Sequence, residues 1–251
     1  MKSSVAGRNR LLWALLPIGA IAVVFSFWAP GAANFNRSEL ARILFYHLPA
    51  AILTPVLLAM SGWFGFKYLQ NHKEADDVRN CALLEFAMFF ASFTMITGII
   101  FSKVQWGEWW HWDPRQTSFL MVLLLLSAAM VLRTAFTDQE RRATASAFYS
   151  VISLIPVMFL IFVFPRLPQV AKNSLHPSTT ILKGELDGTY WSGVLLILTT
   201  LCVIIRFLYQ MRVRAELLER ELIKKHGQLE IHRDGSATAP VVRPLHISPK
   251  D

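Results

Sequence analysis

Charge is scarce in this chain, and cysteine is scarcer. Asp, Glu, Lys and Arg make up 17% of its 251 residues, against roughly 25% in soluble domains. The two cysteines, Cys81 and Cys202, both sit in apolar runs. Neither a disulfide framework nor a zinc site can be built from them. No CxxCH occurs, which excludes a c-type haem attached by the chain itself, and no GxxxxGK[ST] occurs, which excludes P-loop nucleotide hydrolysis.

Hydrophobic residues fill the space: they are 54% of the chain, and the mean hydropathy is +0.40. One soluble core cannot hide this much apolar sequence in unbroken runs. The runs fall at 11–29, 43–66, 82–101, 117–132, 146–164 and 190–209, each near the ~20 residues of a membrane helix, the fourth being short. Inside lipid only helices and closed barrels satisfy the backbone, and continuous apolarity argues for helices. The expected fold is therefore all-α, a polytopic bundle of six transmembrane helices.

Basic residues orient it. The termini and the loops on their side hold 15 Lys and Arg before residue 226, and the other loops hold 7. The positive-inside rule puts both termini in the cytoplasm and the loops near 30–42, 102–116 and 165–189 outside. The net charge of +8 thus reads as membrane topology, not as nucleic-acid binding. Lys2, Arg8 and Arg10, an apolar stretch and Gly31-Ala32-Ala33 also have features of a cleavable leader; residue 34 is external either way. The expected organisation is a membrane domain over 1–210, a cytoplasmic helical extension over 211–226 with the i,i+4 pairs Glu216/Arg220 and Glu221/Lys225, and a disordered tail over 227–251.

The outward loops carry the chemistry. Trp106, Trp109, Trp110 and Trp112, half of the chain's eight tryptophans, crowd the stretch WGEWWHWDPR. An interfacial aromatic belt explains one or two tryptophans per helix end. Four in one loop suit a stacking platform for a planar apolar ligand. Asp113-Pro114-Arg115-Gln116 before an apolar run is also a helix start, with Asp113 as N-cap, Pro114 at N1 and Gln116 as the far half of a capping box. Arg115, at the membrane surface, either snorkels or pairs with a ligand carboxylate. The outward histidines are His47, in Tyr46-His47-Leu48-Pro49, His111, and His176, in Asn173-Ser174-Leu175-His176-Pro177. Two histidines from distant loops on one membrane face can ligate one metal from opposite sides. Beside a tryptophan platform, that arrangement suits haem held by two axial imidazoles. Within the spans, Ala87, Ala91, Thr94 and Gly98 form a small-residue stripe suited to close packing. Glu85 lies within snorkelling reach of the interface, and Pro156 is expected to kink the fifth span.

At these residues the chain resembles a known family. WGEWWHWDPRQTS is similar to the WWD signature of the haem-handling proteins of cytochrome c assembly, and the segments around His47 and His176 resemble the two external histidine segments that flank it. Six spans and a short length resemble the family's haem exporter (CcmC-type) branch, and the likeness covers the chain to about residue 210. The resemblance implies haem against the external loop, contacted by Trp106, Trp109, Trp110, Trp112, Asp113 and Arg115, with His47 and His176 as axial ligands. It implies transfer to a periplasmic CcmE-type chaperone, with CcmA-, CcmB- and CcmD-type subunits supplying ATP-driven release, at the bacterial inner membrane. It implies a haem-transfer subunit, not an enzyme. His111 departs from the family pattern and is a rival iron ligand. Two other functions fit less of the sequence: a haem lyase (cytochrome c synthase) acting directly on apocytochrome thiols, and a solute permease, which would line its spans with polar groups.

Overall fold

The computed structural model describes residues 17–29, 31–32, 35–176 and 188–234. Eight helices organise them. Helix α1 is Pro17–Trp28. A 3-10 turn, Leu40–Ile43, leads into α2, Leu44–Asn71. Then come α3, Glu74–Trp106, and α4, Pro114–Thr134. Helix α5, Gln139–Ile152, is followed by α6, Leu154–Met158, a π-helical stretch, Phe159–Val163, and a 3-10 turn, Phe164–Arg166. The short α7, Pro168–Ala171, precedes α8, Gly188–Asp234. Among the described residues there is no strand.

Five segments are long and apolar enough to cross a membrane: Leu40–Asn71, Glu74–Trp106, Pro114–Thr134, Gln139–Arg166 and Gly188–His226. The run at 11–29 is helical over Pro17–Trp28, and its earlier part lies outside the described residues, as do Ala33 of the leader-like motif and the tail beyond Asp234. Helix α8 continues past residue 226, where the sequence suggested its end, to Asp234.

The helix boundaries have local causes. His72 takes a left-handed conformation (φ 52°) and its N–H closes α2 on the Tyr68 carbonyl at 2.7 Å. Glu74, Asp76 and Asp77 occupy the first turn of α3, where the helix dipole favours acids. Asp113 and Asp138 cap α4 and α5, each side chain accepting a backbone N–H at 2.8 Å. Pro156 has no N–H to offer the Ile152 carbonyl, and the helix breaks at Ser153, just before it.

Helices α2 and α3 form the centre. Ala50, Leu53, Leu57 and Leu58 pack with Leu83, Leu84, Ala87, Phe90 and Ala91. In lipid such packing replaces hydrophobic drive, so small residues matter. A Cβ on Gly62 would stand 2.3 Å from Leu154 Cδ1, so glycine there lets α6 lie against α2.

One end of the bundle is fastened by polar groups. Asp77, 2% exposed, accepts from Arg133 of α4 at 2.8 Å and from Arg220 of α8 at 3.1 Å. Asn80 of α3 donates to the Ser61 carbonyl of α2 at 2.8 Å, and its own side-chain oxygen accepts from Ser146 of α5 at 3.4 Å. Arg212 holds Glu85 through two bonds of 3.0 Å. Glu85 is thus an ion-pair partner rather than a lone snorkelling acid. The helical pairs Glu216–Arg220 and Glu221–Lys225 both form, at 2.9 Å.

Candidate functional site

The opposite end of the bundle is built differently. His47 stands in the first turn of α2, beside Tyr46, whose hydroxyl lies 2.6 Å from Ser26 Oγ of α1. The imidazole is turned toward α3, with Nδ1 2.9 Å from Thr97 Oγ1. A Cβ on Gly98 would approach His47 Cε1 to 3.3 Å. The small-residue stripe of α3 therefore serves two ends: Ala87 and Ala91 pack the core, and Gly98 makes room for the histidine.

The tryptophan-rich loop is held at both edges. Before it, Gln105 clamps the segment preceding α2: its amide donates to the Arg37 carbonyl at 3.0 Å and accepts from the Arg37 N–H at 3.1 Å. Ser102 Oγ donates to the Glu108 carbonyl at 2.9 Å, and Lys103 Nζ to the Gly107 carbonyl at 2.7 Å. After it, the Gln116 side chain accepts from the His111 N–H at 3.2 Å and donates to the Trp109 carbonyl at 3.4 Å. Gln116 therefore orders the loop instead of reaching the backbone of the cap, as a capping box would require. Trp112 adopts φ 54°, unusual for a large residue, as the chain turns into the cap.

Asp113 joins this loop to the His176 segment. It is 3% exposed. Oδ1 accepts from the Arg115 N–H, which is the cap. Oδ2 accepts from Ser174 Oγ at 2.9 Å and from the Leu175 N–H at 2.6 Å. The His176 N–H in turn donates to Ser174 Oγ at 3.2 Å. One carboxylate so starts α4 and fixes the residues directly before the histidine. Burial, with Arg115 adding to it, pushes the His176 imidazole down to about 3, so it is neutral at physiological pH.

These elements enclose a cavity holding about 1100 Å³ of empty space out to its mouth. His47 and His176 both line it, with Trp106, Asp113 and Arg115. The remaining wall is largely apolar, with Phe35, Leu44, Leu48, Met95, Phe101, Phe119, Leu160 and Ile161 among its residues, and Thr94, Gln116 and Ser118 add polar atoms. Of the expected site residues, then, five converge. Trp109, Trp110 and Trp112 do not line the cavity. Trp109 is 56% and Trp112 75% exposed, and Trp110 meets Trp112 edge-on at 5.8 Å. The four tryptophans therefore do not form one flat platform. His111 also stands apart from the cavity lining, edge-on to Trp106 at 6.1 Å and 3.6 Å from Glu108. Thr97, Phe35, Phe119 and the pair Leu160 and Ile161 are among the residues that sequence reasoning missed; none belongs to a motif.

Comparison with known proteins identifies relatives. The family model described as Heme exporter protein C matches residues 3–228. The chain is 26% identical over 230 residues to Heme exporter protein C of Escherichia coli strain K12, covering 85% of this chain and 90% of that one. It is 27% identical over 221 residues to the protein of that name from Paracoccus denitrificans, covering 84% and 91%. With the Rhodobacter capsulatus protein it shares 26% over 200 residues, covering 78% and 80%. With a match spanning nearly the whole chain, from the N-terminal region through most of α8, the chain belongs to the Heme exporter protein C family.

Proposed function

We propose that this protein binds haem in the cavity between His47 and His176 and passes it on for cytochrome c assembly. One observation carries the reading: two imidazoles from segments far apart in sequence converge on one largely apolar cavity. Among the described residues no group of three or more His, Cys, Asp or Glu side chains could hold a bare metal ion. Iron in a porphyrin needs only two protein donors, because the macrocycle fills the other positions. Apolar walls suit the macrocycle, and Arg115 offers a cation for its carboxylates. Trp106 supplies the ring at the cavity itself. Trp109 and Trp112, both exposed, and the half-buried Trp110 form the rim that a protruding haem meets, and Asp113 supports the site by holding the His176 segment. The relatives' name, Heme exporter protein C, supports the same ligand.

The family and the charge pattern support a reading of the surrounding assembly. In this reading Pro17–Trp28 is the described part of a sixth span, both termini are cytoplasmic and the histidine end faces the periplasm of a bacterial inner membrane; the 15-to-7 asymmetry of Lys and Arg supports it. The membrane domain then ends near residue 210, and the following part of α8 stands in the cytoplasm. The haem goes to a CcmE-type chaperone, and CcmA-, CcmB- and CcmD-type subunits supply the nucleotide chemistry for which this chain has no P-loop motif. In this role the protein is a carrier subunit, not an enzyme.

The absorption spectrum of the purified protein, with and without added haem, tests the ligand. A six-coordinate, low-spin spectrum disturbed by His47→Ala and by His176→Ala supports two axial histidines. An unchanged spectrum in both variants removes them, and a larger change in His111→Ala reassigns a ligand. A reporter fused after residue 210 should be active in the cytoplasm and one at residue 175 should be external; the reverse overturns the topology.

A further inference from the structure

The Thr97 hydroxyl has one hydrogen and three neighbours. The Phe93 carbonyl is 2.8 Å away and the Thr94 carbonyl 3.2 Å. Both are pure acceptors. His47 Nδ1 is the third neighbour, at 2.9 Å. The single hydrogen goes to the carbonyls, one turn back along α3. The oxygen that remains facing His47 can then only accept, so Nδ1 carries the imidazole proton. In a neutral imidazole the other nitrogen, Nε2, is left with its lone pair exposed. The Thr94 backbone is a further hydrogen-bond partner of the imidazole, on the same turn of α3 as Thr97, and the ring lines the cavity.

We propose that Thr97 is the positioning residue of the site: by accepting from His47 Nδ1 it fixes the ring's tautomer and orientation and presents Nε2, unprotonated, to a metal in the cavity. The proposal rests on the reading of His47 as an axial ligand. Hydrogen bonds to the far nitrogen of a ligating histidine set its tautomer and raise its basicity, and their loss typically weakens metal binding 10- to 100-fold. The arrangement also explains why the threonine sits within a helix. Its hydroxyl bonds back to its own helix and is thereby turned into a fixed acceptor. Gly98, next along, leaves the space for the ring.

The test compares Thr97→Val, which keeps the shape and removes the hydroxyl, with Thr97→Ser, which keeps the hydroxyl. In the haem-free full-length protein, nitrogen NMR of labelled histidine should report the Nδ1–H form of His47 in wild type and in Thr97→Ser, and a mixture of tautomers in Thr97→Val. Haem titration should show affinity roughly 10- to 100-fold lower in Thr97→Val and restored in Thr97→Ser. An unchanged tautomer and unchanged affinity in Thr97→Val would overturn the proposal. Equal losses in both variants would overturn it too, since packing alone would then explain them. His47→Ala separates the underlying reading. If its haem spectrum matches wild type, His47 is not a ligand, whatever the tautomer measurement gives. Should Thr97→Val fail to assemble, the tautomer of wild type and Thr97→Ser decides: an Nε2–H form in both would overturn the proposal, and an Nδ1–H form in both would uphold it.

Discussion

The two ends of this bundle solve opposite problems. At one, Asp77, Arg133, Arg220, Glu85 and Arg212 are paired with one another across α3, α4 and α8. Asn80 fills the gap between Ser61 and Ser146. The carboxylates and guanidinium groups there are bonded to one another. At the other, helices and loops line a cavity, and the polar groups of the loops are bonded to one another around it. Asp113 and Gln116 spend their bonds on the loops, which leaves the cavity itself open. Buried ion pairs contribute little net stability, because desolvation offsets attraction. What they supply here is identity: they specify which helices adjoin. The fastened end holds the helices in register so that the open end need not.

Mutations should separate the two ends. The largest effect is expected from His47→Ala or His176→Ala, each of which should abolish the low-spin spectrum and weaken haem binding by more than about 100-fold, since direct ligands exceed the 10- to 100-fold of their supports. The haem-free fold should persist, with an unchanged circular-dichroism helix signal. Next is Asp77→Ala. It leaves two arginines without their shared acid and should cost about 3–5 kcal/mol in detergent unfolding, while molecules that remain folded keep the wild-type haem spectrum. If Asp77→Ala instead altered the spectrum at full stability, the two ends would not be independent. Trp106→Ala should lower haem affinity by about 2–4 kcal/mol, on the order of 30- to 1,000-fold. Trp109→Ala and Trp112→Ala should each cost less than about tenfold in the same titration, because their rings are largely exposed. Equal losses at all three would restore a single platform. Asp113→Ala removes a cap worth about 1 kcal/mol together with the two bonds to the Ser174–Leu175 segment. It should weaken haem retention by about 1–3 kcal/mol, as a partial His176 defect, measurable as a mixed-spin spectrum.

How much of this could be read from the residues depends on distance along the chain. Five of the six apolar runs coincide with helices long and apolar enough to cross a membrane, because composition decides what lipid accepts. Asp113 was legible as a cap, since Asp-Pro before an apolar run is a local signal. Its second bond set, to Ser174 and Leu175, joins positions more than 60 apart in sequence, |i−j| being 61 and 62, and no local pattern encodes it. Glu85 shows the same limit: within its own helix it looks like a lone interfacial acid, and its partner Arg212 lies 127 positions on. The tryptophan cluster announced a special loop but not which ring turns inward. That choice is made by the Gln105 clamp before the loop and the Gln116 amide after it. Thr97 carried no signal, because a threonine in an apolar helix is unremarkable until its neighbour across the interface is known.

The π-helical stretch Phe159–Val163 has a consequence for shape. A wider winding turns the chain by a smaller step at each residue than the 3.6-per-turn helix does. Neighbouring side chains then diverge less, and Leu160 and Ile161, adjacent in sequence, both reach the cavity. Arg166 steadies that stretch by donating to the carbonyls of Ile161 and Phe162 at 3.3 and 2.8 Å. Two consecutive aliphatic residues on one side make a slab where an ordinary helix would present a ridge. A slab discriminates by flatness: it lies flush against a disc and touches a chain or a sphere only along a line.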